Sequence, residues 1–372
     1  MITRLSAAAA VALLACGLAA PATAATTATA TTTATATNTA KAAFPELPGS
    51  GAGPAGFAYL CGNAKDIAGE PTGACTTWRL VAKDGTIHTV PEALGWEQGK
   101  DWGDRGAFAI SPDGTRIAFQ RAADDKVVVR DLASGETWSM PYKVRASSIG
   151  SPFTLKFVRD GSQLAITTTA DAAQATLVQV ETGKARKFSK GFAVLDADPG
   201  SGRVTLHAGR LFRTLGDGRP VSAKIPEYAG KHLIWGAFAA RDGRAANLVP
   251  KDPPACGPDT TPVWLTTFDT RTGAMKKVRP RLPADVYQAD VVDWLNGREI
   301  VVSAGRERPG KKENTVVGSY VYVMDVRTGA ADLVAKLSTR ERVFYATMGG
   351  YATPRSTVAA GPVAKAGKRG CE

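Results

Sequence analysis

Nucleophilic hydrolysis needs a serine or cysteine activated by a neighbouring base, and this chain offers no such grouping. It contains no G-x-S-x-G elbow, and its only histidines are His88, His207 and His232. Glycoside chemistry would need two carboxylates across a cleft; Asp104, Asp290 and Asp293 are the acids that could supply them. There is no C-x-x-C motif, so neither a zinc site nor any other metal site is expected. No catalytic residue and no cofactor are assigned. The chemistry left is binding. Trp96, Trp102, Asp104 and Arg105 place two large aromatic surfaces beside opposite charges, which suits a sugar or a peptide. His232, Trp235, Asp290 and Tyr345 form a second group. His232 is more often a satisfied histidine than a base, Trp235 and Trp294 more often pack between blades, and Tyr345 reads also as a core residue. Arg306, Arg308, Lys311 and Lys312 make a basic stretch, read as a solvated loop or as a contact for an anionic polymer.

Two kinds of turn must position these residues. One is Asp-Gly or its like, at Asp113-Gly114, Asp160-Gly161, Asp242-Gly243 and Asn296-Gly297. The other is an acid followed by glycine two to four residues on, with glycines at 135, 183, 273 and 329. These spacings are 48, 90 and 56 residues, the middle one being two units of 45. Asp and Asn cap their own turns, and Gly adopts positive φ without steric cost. Between the turns run short β-branched and aromatic stretches with no helical period. From Phe108 through Trp138 the pattern is four strands and three turns.

Ser111-Pro112-Asp113-Gly114-Thr115-Arg116-Ile117-Ala118-Phe119, followed by Val129-Arg130-Asp131 and Gly135, resembles the TolB-type, WD-like propeller repeat. The match is weaker around Phe157-Val158-Arg159-Asp160-Gly161 and weaker again near Asn296. The resemblance covers roughly 56–347. It implies an all-β propeller of a kind mostly found as exported binding and scaffold modules, and also attached to enzymes.

Counting units predicts six four-stranded blades, with seven as the alternative. Complete units are expected at about 105–140, 152–188, 191–222, 232–279 and 287–335. The first unit lacks its innermost strand, because 44–56 is rich in Pro and Gly. A spare strand at 343–347 is expected to supply it, joining both chain ends in one sheet. With strands of each blade lettered A (innermost) to D, the A–B and C–D turns are tight. The B–C and D–A connections share the opposite face and vary in length: 61–75, 251–262 and 304–315 are B–C loops, and 91–103 is a D–A loop carrying Trp96 and Trp102. Long loops on a rigid scaffold are the usual place for binding.

Compartment follows from the N-terminus. Arg4, an apolar stretch from Leu5 to Ala15, and Ala22-Thr23-Ala24 after Pro21 form a signal-peptide pattern over 1–24, cleaved after Ala24. A rival reading is a lipobox at Leu13-Leu14-Ala15-Cys16-Gly17, with Cys16 lipidated and the chain anchored to the membrane through it. Residues 25–43, nearly all Thr and Ala, read as a disordered stalk, and 44–372 as the propeller with a basic tail from about 349. Four cysteines survive signal removal, and an even count in an exported chain favours two disulfides. Cys61–Cys75 is preferred because the two bracket one loop, leaving Cys256–Cys371. The net charge of +12 suggests anionic partners outside the cell, such as an envelope polymer. Lys and Arg are interleaved with Asp and Glu along the chain, which argues against nucleic acid. The expected function is an extracytoplasmic binding or scaffold propeller offering its long-loop face to a protein, peptide or glycan. The alternative is a propeller hydrolase or lyase on extracellular carbohydrate or lactone.

Overall fold

The computed structural model describes residues 44–61, 73–98, 103–143, 153–168, 174–216, 218–225, 238–250, 261–308, 315–337, 343–349 and 356–357. By internal contacts the chain divides into Met1–Ala43 and Phe44–Glu372, and only the second unit contains described residues. Its strands follow in groups. β1 (Ala55–Cys61), β2 (Trp78–Ala82) and β3 (Ile87–Val90) come first, with a 3-10 turn, Gly73–Thr76, between β1 and β2. A short pair, β4 (Trp96–Gln98) and β5 (Gly103–Arg105), precedes β6 (Phe108–Ile110), β7 (Arg116–Gln120), β8 (Lys126–Asp131) and β9 (Thr137–Lys143). Then come β10 (Phe153–Val158), β11 (Gln163–Thr168), β12 (Gln174–Gln179) and β13 (Ala185–Lys187), and β14 (Ala193–Ala197), β15 (Val204–Ala208), β16 (Leu211–Leu215) and β17 (Val221–Lys224). The fifth group is β18 (Ala239–Arg241), β19 (Arg244–Pro250), β20 (Pro262–Asp269) and β21 (Met275–Val278). The sixth is β22 (Val286–Trp294), β23 (Glu299–Arg308), β24 (Thr315–Asp325) and β25 (Ala331–Leu337), before β26 (Val343–Met348) and β27 (Ser356–Thr357).

Each group of four is one antiparallel blade, and six blades form the propeller, so the seven-blade alternative is excluded. Blade 1 has the order β26-β1-β2-β3. The strand expected at 343–347 therefore completes it, with Ala58 opposite Thr347 and Tyr59 opposite Ala346. Blade 6 gains a fifth strand, β27, parallel to β25.

The middle strands lack simple alternation because both faces of a blade are covered by its neighbours. Ile117, Ala118 and Phe119 are all fully buried, and Val127, Val128 and Val129 follow the same rule. Apolar clusters fill the blade seams: Trp78 and Leu80 meet Phe108 and Phe119 between blades 1 and 2, and Phe212 meets Phe238 and Phe268 between blades 4 and 5. Each large side chain buried in a seam contributes about 1.5–3 kcal/mol. The outermost strands leave this environment, and β13 is exposed throughout.

The C–D turns are built alike. Asp131, Asp269 and Asp325 each accept hydrogen bonds from the amides two and three residues ahead, at 2.8–3.0 Å. Gly135, Gly273 and Gly329 then take φ of 76°, 74° and 70°. These glycines have a second constraint. A Cβ on Gly273 would lie 2.5 Å from the Lys224 carbonyl oxygen, and one on Gly329 2.1 Å from that of Arg279. These two turns thus pack against backbone at the end of the previous blade's outer strand, whereas a Cβ on Gly135 would meet the Gly49 carbonyl oxygen, in the stretch before β1, at 1.9 Å. Asn296-Gly297 differs from its expected relatives. Gly297 is not among the positive-φ glycines, and the Asn296 side chain accepts from the amides of Arg298 and Glu299 instead.

The Pro- and Gly-rich stretch before β1 supplies a strap. Glu46 bridges in parallel to Thr89 on the outer strand of blade 1. The Gly51 and Ala52 amides donate to the Ala133 and Leu132 carbonyls of blade 2 at 2.8 and 3.0 Å. Arg130 completes it, donating to Glu92 at 2.6 Å and to the Pro48 carbonyl.

Candidate functional site

Three of the residues singled out for binding stand on one small hairpin. β4 and β5 pair antiparallel in the connection from blade 1 to blade 2, with Trp96 opposite Arg105 and Glu97 opposite Asp104. Trp96 is half-buried and packs against the apolar seam of blades 1 and 2, so part of its surface serves as a foot for the hairpin. Trp102 lies outside the described residues.

The hairpin base is held by close backbone contact. A Cβ on Gly95 would lie 1.7 Å from the Thr76 carbonyl oxygen, and one on Gly106 2.2 Å from that of Leu94. Only glycine fits either place. Thr76 ends the 3-10 turn that contains Cys75, and Cys75 is disulfide-bonded to Cys61 at the end of β1. Beneath that turn lies Arg79, 4% exposed. It donates to the carbonyls of Ala74 at 2.7 Å and Thr77 at 3.1 Å, and its guanidinium lies 5.6 Å from the Phe44 ring. The stapled 3-10 turn and the base of the hairpin therefore form one continuous platform on the long-loop side. Arg79 was missed as a site residue. Its signal was a charge in the apolar run Trp78-Arg79-Leu80-Val81.

The remaining expectations scatter. Asp290 is half-buried on β22, opposite Ser303 on β23. His232 and Trp235 lie outside the described residues, as do Cys256, Cys371, Cys16, Lys311 and Lys312. Tyr345 stands opposite Leu60 on β26. Trp294 is buried at the seam of blades 5 and 6, where its indole donates to the Ala239 carbonyl at 3.1 Å. Arg306 pairs with Asp285 and lies 4.8 Å from the Tyr320 ring.

A second cluster gathers at the A–B turn end of the inner strands, opposite the long loops. Arg159 and Asp242 both adopt positive φ, 49° and 52°, Asp242 directly before Gly243 and Arg159 two residues before Gly161. Arg159 reaches Asp196 at 3.2 Å, Asp198 at 3.5 Å and Asp242 at 2.7 Å, linking blades 3, 4 and 5. Lys156 donates to the Leu195 carbonyl at 3.0 Å, and Arg241 to the carbonyls of Trp294 and Leu295 at 2.9 and 3.0 Å. Asp293 faces a cavity of about 10 Å³ that Lys156, Arg159, Asp196 and Arg241 also line. Burial pushes the Asp293 carboxyl up, against the pull of Lys156 and Arg241. A space that holds one water has no room for a substrate, so this cluster ties four blades together. Among the described residues no group of three or more His, Cys, Asp or Glu side chains is placed to hold a metal ion.

No protein-family model matches the chain, and no curated protein matches it. Solved structures do match. One is a prolyl endopeptidase, with 13% identity and a TM-score of 0.41 over 69% of this chain and 36% of that one. A chain of the mitotic checkpoint complex gives 11%, 0.37, 66% and 80% in the same order. The tricorn protease gives 14%, 0.35, 67% and 25%. The chain thus spans about a third of the length of the prolyl endopeptidase and a quarter of that of the tricorn protease. Likeness at this level carries no argument about activity.

Proposed function

We propose that the protein is an extracytoplasmic binding propeller of the TolB type, whose long-loop face takes a protein, peptide or glycan. The supporting observation is the platform where the Cys61–Cys75 staple and the Trp96–Arg105 hairpin meet through Gly95 and Thr76. A disulfide beside a binding loop lowers the cost of holding that loop in one shape, and it persists in an oxidising compartment. The N-terminal signal pattern agrees with export. The opposite end of the inner strands is drawn together by the Arg159 ion pairs, which leaves the long-loop face as the side for a ligand.

The test is capture of envelope components by the full chain on arrays of wall glycans and peptides. Trp96→Ala combined with Trp102→Ala is expected to weaken the captured interaction at least about tenfold. Because Trp96 also packs on the seam, Asp104→Ala with Arg105→Ala is run in parallel and should weaken it too. Unchanged affinity in both folded variants, or no capture by the wild-type chain, would overturn the reading.

A further inference from the structure

The outer rim of blades 3, 4 and 5 carries a continuous basic arc, and we infer that it is a docking surface for a linear acidic polysaccharide, separate from the long-loop face. The arc consists of three outermost strands with their flanks. On blade 3, Lys184, Arg186, Lys187 and Lys190 lie in 184–190. On blade 4, Arg219 and Lys224 lie in 219–224. On blade 5, Lys276, Lys277, Arg279 and Arg281 lie in 275–281. All ten side chains are exposed, and the three segments contain no Asp or Glu. The outer strands of blades 2 and 6 differ: Glu136 borders β9 and Asp332 lies within β25.

Among the described residues, the carboxylates next to these segments in the chain are engaged elsewhere. Glu181 pairs with Arg116 of blade 2 at 3.1 Å, Asp269 caps its own turn, and Asp285 pairs with Arg306. Lys277 lies 5.6 Å from the Trp264 ring, and among the described residues the other nine cations take part in no ion pair. Ten like charges raise the local potential and draw anions to the rim. The arc is also partly ordered in advance. Arg186 lies 5.2 Å from the Phe188 ring. A cation held over a ring loses less freedom on meeting an anion. Blades 4 and 5 are joined along the arc, since the turn holding Arg271 packs through Gly273 on the Lys224 carbonyl.

Geometry selects among polyanions. Each of the three outer strands carries one or two cations with further cations at its flanks, so positive charge recurs from blade to blade around the rim, as carboxylates recur along an acidic glycan. Arg pairs bidentately with carboxylate. A flexible chain can follow the convex rim of a ring over three blades, whereas a flat bilayer meets such a rim at one. A membrane would also need apolar wedges, and among the described residues of the arc the only exposed large apolar side chain is Val221. Base stacking would need open aromatic faces, yet Phe188 is buried and Trp264 is already covered by Lys277.

The experiment measures retention of the full chain on polygalacturonate, with neutral dextran, anionic phosphatidylglycerol vesicles and a single-stranded oligonucleotide as comparisons. Retention on polygalacturonate alone, lost as salt is raised, is expected. Lys276→Gln with Lys277→Gln, Arg279→Gln and Arg281→Gln should weaken it about tenfold, and Lys184→Gln with Arg186→Gln and Lys187→Gln by a similar factor, at unchanged Tm. Either set binding like wild type while folded, or retention on dextran, vesicles or oligonucleotide equal to that on polygalacturonate, would overturn the proposal.

Discussion

Asp325 shows how one side chain sets a turn and its pH dependence. Burial alone would raise its carboxyl, but the amides of Arg327 and Thr328 and the Arg298 guanidinium outweigh it and hold it down to about 2. Hydrogen bonds likewise hold Asp84 and Asp269 below the usual carboxylate range. A group whose folded value is depressed stabilises the fold above its unfolded value, about 3.9, and that stabilisation is lost as pH falls through the folded value. The Tm is therefore expected to fall steeply between about pH 4 and pH 2, and Asp325→Asn should flatten part of that slope. A wild-type Tm constant across that interval would contradict the turn chemistry. His207 acts earlier in the same direction. Burial beside Phe212 and Phe238 lowers its value, so the unfolded chain takes up the proton first. The Asp-to-Gly spacing was legible in the sequence because it is local. The pairing of Arg298 with Asp325 was not, since 27 residues separate them.

At the scale of the element, the C–D turns interlock the blades. A glycine at positive φ was readable from turn type, but the carbonyl pressed against it belongs to another blade. Gly191 and Gly329 separate the two demands. Gly191 has φ of 86°, and a Cβ there would meet nothing within 4 Å, whereas a Cβ at Gly329 would meet the Arg279 carbonyl oxygen at 2.1 Å. Gly191→Ala should cost about 1 kcal/mol, and Gly329→Ala about 2 kcal/mol or more. Equal costs in chemical denaturation would show that the interlock contributes nothing. The candidate platform follows the same logic. Trp96 and Arg105 stood out by type, while Gly95, Gly106 and Arg79 acquire their roles only where the hairpin and the stapled turn touch.

At the scale of the whole molecule, ring closure joins the two ends of the domain. β26 is the innermost strand of blade 1 and pairs along β1, next to a small cluster in which Ala346 and Met348 pack on Phe57, Tyr59, Cys61 and Val81. Removing it exposes the backbone of β1 and uncovers that cluster. Deletion of 342–372 is expected to abolish the cooperative thermal transition, and a truncated chain that still melts cooperatively would refute closure by this strand. The distribution of charge also belongs to this scale. Along the chain the basic segments are separated by stretches that carry acids, and the ring places those of blades 3 to 5 side by side.

Turn spacing, β-branched runs and a missing first strand were enough to specify a propeller, to favour six blades over seven and to point to the strand that closes the ring, because each is a local pattern repeated along the chain. So was the Cys61–Cys75 staple, which spans a single connection. The Arg159 ion pairs, the glycine interlocks, the basic arc and the platform under Trp96 depend on segments from different blades. Their partners are brought together by closure of the ring, and no pattern within one repeat encodes which backbone or charge the next blade presents.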